Sequence, residues 1–194
     1  HLIFSGLGGF VFLRFLGLSR IVSFMGGTAF MITPFMITMI VFGHGSQMMT
    51  AAYIPWIMFL TIKVMQKPIM FNLGLLGILM GLQLQRAHAQ IAYYTWMLAG
   101  SFVLFTLIST YKFPEKRNNS LYGFGGFAIA ALLGFGISLL IYLPSLEYTS
   151  FSVRGGGVSG GADYNYATSW SFSPKELLTF IIPSAFGFGG QTYW

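Results

Sequence analysis

Residues 69–111 read IMFNLGLLGILMGLQLQRAHAQIAYYTWMLAGSFVLFTLISTY, and Arg86 is the one charged side chain among them. As a single α-helix these 43 residues would be ~65 Å long at ~1.5 Å per residue. That is about twice the ~30 Å hydrocarbon core of a bilayer. The chain must therefore turn near Arg86 to Gln90. The two apolar arms on either side, 69–85 and 91–111, are each of a length to cross a membrane.

The same reading extends over most of the chain. Residues 121–143 are 23 in a row without a charge. Hydrophobic residues make up 55% of the 194 and charged residues 7%, far below the ~25% usual in soluble domains. A soluble protein of this size could not cover so much apolar surface with polar groups. The expected fold is all-α and polytopic, with about six transmembrane helices at 2–18, 21–42, 48–62, 69–85, 91–111 and 121–143. Residues 1–143 form the transmembrane helical domain, and 144–194 a loop region with a short interfacial helix. The chain begins inside an apolar stretch without Met, and is read as a fragment of a longer membrane domain.

Charge sets the orientation. Arg14, Arg20, Lys63, Lys67, Lys112, Lys116 and Arg117 are seven of the ten Lys and Arg, and parity places them on one side. The positive-inside rule makes that side cytoplasmic and 144–194 extracytoplasmic. The net charge of +6 is thus explained by topology, and no nucleic-acid partner is expected. There are no cysteines, which excludes disulfides, thiolate metal sites and cysteine nucleophiles. Gly26-Gly27 and Pro34 interrupt the second apolar stretch, and Pro55 sits in the third. Irregular backbone at membrane depth is tolerated inside protein or around a cavity, although Gly and Pro are also simply commoner in membrane helices.

The polar residues that a membrane tolerates are the functional candidates. They gather on the outer side. His44 lies between the second and third spans. Gln83, Arg86, His88 and Gln90 lie between the fourth and fifth. Gln83, Arg86 and Gln90 share one face if the helix continues there. Glu147, Tyr148, Arg154, Asp163 and Tyr164 follow the sixth span. Arg86 offers a planar fork of donors suited to phosphate, against the plainer reading of an interface anchor. Two His without an acidic partner at ligand spacing make no metal site, and a need for a divalent metal is left open. In the outer region Ser173-Pro174-Lys175-Glu176 has the pattern of a capped helix start.

Four motifs carry a family resemblance. They are GHGSQMMTAAYIPW at 43–56, LQLQRAHAQIAYYTW at 82–96, LPSLEYTSFSVRGG at 143–156 and YNYATSWSFSPKELLTFIIPSAFGF at 164–188. In this order they resemble YfhO-type bacterial membrane proteins. Arg86-Ala87 departs from the pattern, where small residues such as Gly are expected. The resemblance implies kinship with the GT-C glycosyltransferases, which take a sugar from a polyprenyl-phosphate carrier at the outer membrane face. It implies a bacterial inner (cytoplasmic) membrane location. The partners implied are membrane lipid, a polyprenyl-phosphate sugar donor and a glycan, lipid or protein acceptor, with no cofactor beyond that donor. Glu147 and Asp163 are then the catalytic candidates, while the family's main catalytic acid would precede His1. His44, Gln83, Arg86, His88, Gln90, Tyr148, Arg154 and Tyr164 would bind substrate. A lipid or solute transporter or flippase and a non-catalytic scaffold are the rival readings.

Overall fold

The computed structural model describes residues 1–149, 164, 168, 171 and 173–182. Every regular element among them is helical: α1 Leu2–Phe15, α2 Arg20–Met31, α3 Pro34–Val41, α4 Gly45–Ala51, α5 Ile54–Gln66, α6 Met70–Leu84, α7 Ala89–Thr110, α8 Pro114–Thr149, and a 3₁₀ turn at Pro174–Phe180. Two compact units divide the chain, His1–Leu143 and Pro144–Trp194.

Among the described residues four helical stretches are long and apolar enough to cross a membrane: Arg20–Val41, Gly45–Gln66, Ala89–Thr110 and Pro114–Tyr148. Leu2–Phe15 and Met70–Leu84 are shorter apolar helices of 14 and 15 residues. Three expected boundaries change. The second span breaks at Pro34 and not at Gly26-Gly27, because α2 runs through the glycines while Pro34 opens α3. The third span, expected at 48–62, is longer, since α4 and α5 together run from Gly45 to Gln66. The sixth does not stop before Pro144, which lies inside α8. A proline there forfeits one backbone bond without ending the helix.

Local chemistry explains the joints. Gly17, at φ +90°, closes α1: its N–H donates to the Arg14 carbonyl, and that of Leu18 donates to Leu13. This is the Schellman pattern, which needs a left-handed residue. Ser19 then caps α2, its hydroxyl accepting from the Val22 N–H at 3.3 Å. Asn72 ties the α5–α6 joint by donating to the Lys67 carbonyl at 2.8 Å.

The core sits around α5. Ile57, Leu60 and Val64 form one buried face of that helix and meet Leu73, Leu76 and Met80 of α6 and Ala99 of α7. Helix α1 packs on α2 and α5. Glycine lets α6 and α8 approach closely: a methyl at Gly77 would stand 2.9 Å from the Ala130 carbonyl, and one at Gly81 2.7 Å from Ile137 Cβ. Between membrane helices this close backbone contact replaces the hydrophobic drive that lipid cannot supply.

Candidate functional site

The turn between α6 and α7 falls at 85–88, overlapping the expected turn near Arg86 to Gln90. The Arg86 N–H reaches back to Gln83 and the Ala87 N–H to Leu84. Ala87 adopts φ +62°, a left-handed conformation that a β-carbon disfavours by roughly 1–2 kcal/mol. His88 then caps α7, its Nδ1 accepting from the Ile91 N–H at 3.4 Å. This break corrects the expected shared face. Gln90 belongs to a new helix, and its amide donates to the Tyr94 hydroxyl at 3.0 Å.

Gln83 is fully buried and works as a hub. Its Nε2 donates to the Thr50 carbonyl at 3.2 Å and to Thr95 Oγ1 at 3.0 Å. Its Oε1 accepts from Trp96 Nε1 at 3.2 Å. One of these bonds falls at the break between α4 and α5. Pro55 has no N–H, and the chain at Ala52–Tyr53 leaves the regular helical bonding pattern. Ala52 and Tyr53 are nevertheless buried. The Gln83 amide adds a second donor to the Thr50 carbonyl at this break, beside the Tyr53 N–H at 3.3 Å.

Arg86 is half-buried. Its Nε donates to the Leu82 carbonyl at 3.3 Å. Among the described residues it has no ion pair, and its two terminal nitrogens have no acceptor. Tyr53 packs against Phe4 at 5.1 Å and His1 at 5.9 Å, while the Trp56 indole donates to the Phe4 carbonyl at 2.9 Å. Flanking the turn, Leu84 and Ala89 border a cavity of about 310 Å³ that is also lined by Tyr93, Trp96, Phe135 and Tyr142. The Tyr142 hydroxyl donates to the Leu84 carbonyl at 3.2 Å. The polar tips of Trp96 and Tyr142 are thus spent on protein acceptors.

The remaining candidates fall elsewhere. His44 is exposed at the start of α4, where its ring makes no capping bond. Glu147 and Tyr148 are exposed on the last turn of α8, in the second unit. Tyr164 is exposed, and its carbonyl accepts from Thr168 Oγ1 at 2.8 Å. Arg154 and Asp163 lie outside the described residues. Glu176 is occupied as a cap, accepting from the Ser173 N–H. Among the described residues no three His, Asp or Glu gather into a metal-binding group. The structure therefore brings Gln83, Arg86 and His88 together at one turn. It also adds Thr50, Tyr53, Thr95 and Trp96, for which the one available signal is Thr and Trp within otherwise apolar helices.

The chain matches no protein-family model, no curated protein and no solved structure.

Proposed function

We propose that this is a bacterial inner-membrane protein that binds a polyprenyl-phosphate-linked sugar at the α6–α7 turn and serves its transfer to an extracytoplasmic acceptor. The single observation that carries the reading is Arg86, a half-buried guanidinium at a helix break with its fork unpaired among the described residues. A buried cation is costly without an anion, and a phosphate matches the fork with two parallel hydrogen bonds. The cavity beside the turn supports the lipid half of the substrate. Its walls are aromatic and aliphatic, as an isoprenoid chain requires. His88 stands at the same turn, and the sugar hydroxyls fall to it and to Gln90. The sugar-transfer chemistry rests on the four motifs and their family resemblance, with Glu147 and Asp163 as the carboxylates that would act as base toward the acceptor.

The test is sugar transfer by the full-length protein carrying Arg86→Lys or Arg86→Ala, at matched expression. Both should lose most activity, because a point charge does not replace a bidentate fork. Full activity in both variants leaves Arg86 an interface anchor. Orientation has its own test. Single cysteines at Asn118 and Lys175 should label from opposite faces of the membrane, and labelling of both by an impermeant reagent added outside overturns the topology.

A further inference from the structure

At the other end of α7, about 33 Å along the helix from the Arg86 turn, the chain leaves α7 at Thr110 and enters α8 at Pro114. Thr110 Oγ1 donates to Ser120 Oγ at 2.9 Å and fastens the start of α8 back onto the end of α7. Beside this clasp lies a cleft of about 520 Å³. Its apolar lining is Leu107, Ile108 and Leu121, on the bodies of the two helices, and its polar lining includes Tyr111, Lys112 and Arg117 at their ends. Residues 107, 108 and 111 share one face of α7, and residues 117 and 121 share one face of α8.

The cations here are not spent on protein. Among the described residues neither Lys112 nor Arg117 has an ion pair, and Glu115 is the one acid between Lys112 and Ser120. Lys116 is placed differently: it lies over the Phe113 ring, 5.7 Å from the centroid, and is absent from the cleft lining. Two free cations therefore adjoin an apolar wall on a helix pair sheathed in exposed aliphatic and aromatic side chains such as Leu104, Phe105 and Leu132.

We propose that this cleft binds an anionic phospholipid. Its phosphate sits between Lys112 and Arg117, and an acyl chain lies along Leu107, Ile108 and Leu121. Charge complementarity selects the occupant. Inorganic phosphate would answer the cations and leave the apolar wall uncovered. A zwitterionic lipid would cover the wall and leave two positive charges uncompensated. The site is separate from the Arg86 turn and stands whether or not that turn binds a sugar carrier.

The experiment titrates the full-length protein in detergent with phosphatidylglycerol, phosphatidylcholine or glycerol phosphate and counts bound lipid by native mass spectrometry. Phosphatidylglycerol should bind about tenfold or more tightly than phosphatidylcholine, and Lys112→Gln with Arg117→Gln should weaken it about thirtyfold, the loss of two juxtamembrane cations. Lys116→Gln is the matched control and should change binding by less than about twofold, its charge being held over Phe113. Equal binding of the two lipids overturns the proposal. So does a Lys116→Gln loss as large as that of the double variant. Displacement of the lipid by an equal concentration of glycerol phosphate overturns it too, since the apolar wall would then contribute nothing.

Discussion

Arg20–Val41 and Gly45–Gln66 are consecutive arms of 22 residues each, with similar hydropathies of 1.7 and 1.5, and each is broken near a proline. Their fates differ. In its most apolar stretch the first arm is 11% buried and the second 61%. The more apolar arm is the peripheral one. It turns Ile21, Phe24, Met25 and Val41 outward and buries Ser23 and Gly27. The second arm buries Ile57, Leu60 and Val64, and also Thr50 and Thr61. Where lipid is as apolar as leucine, hydropathy says that a helix enters the membrane but not how deep in the protein it lies. Small and polar residues that need a protein partner carry that second message.

The largest expected effect tests the contrast directly. Ile57 is 0% exposed and Ile21 is 75% exposed. Ile57→Ala should destabilise the protein by about 2–5 kcal/mol, because the surrounding core cannot close the void. Ile21→Ala should leave the thermal midpoint in detergent nearly unchanged. Equal losses from the two would mean that the outer arm is covered as fully as the inner one.

The next effect concerns the break that makes the inner arm possible. Gln83→Leu removes the donor to the Thr50 carbonyl, the donor to Thr95 and the acceptor for Trp96. Of these only the Trp96 Nε1–H is left without a partner, at about 1–3 kcal/mol if it stays buried, because the Thr50 carbonyl keeps the Tyr53 N–H and Thr95 Oγ1 keeps the Ile91 carbonyl. Thr50→Val is the control, since it keeps the backbone carbonyl that Gln83 uses. Thermal unfolding should place Gln83→Leu well below both the parent and this control. A Gln83→Leu protein as stable as the control would show that the break is satisfied without the side chain.

The contrast also marks how far the sequence could be read. The turn at 85–88 was legible because helix rise and bilayer thickness leave no alternative. The capped start at Ser173 was legible because the residue types of a cap are local. The break at Pro34 rather than at the glycines was not, since glycine in a membrane helix can serve close packing as well as bending. Gly27 illustrates it: a methyl there would stand 2.5 Å from the Gly6 carbonyl, so its smallness is used by α1. Arg86 and His88 were legible as a pair because charge and imidazole stand out in apolar sequence. Gln83 was read as a possible ligand group, yet all its polar atoms are bonded to protein. Its partners lie 33, 12 and 13 residues away, and no local pattern announces a contact over that distance.

The smallest effect probes the polar residues buried in each arm. Ser23 Oγ in the outer arm and Thr61 Oγ1 in the inner arm are buried and have no hydrogen-bond partner among the described residues. A hydroxyl withdrawn from water without a partner is unfavourable, and valine reproduces the shape of threonine without it. Thr61→Val should therefore raise stability by about 1 kcal/mol or less, a gain limited by how well the methyl fills the hydroxyl's place. Ser23→Ala should gain no more than that, because it also surrenders contact volume. Both shifts can be read as changes in thermal midpoint on the same preparation used for Ile57→Ala. A loss of stability in Thr61→Val would assign its hydroxyl a bonded partner, such as a trapped water. The inner arm would then hold a polar contact beyond those that Gln83 and Trp56 provide.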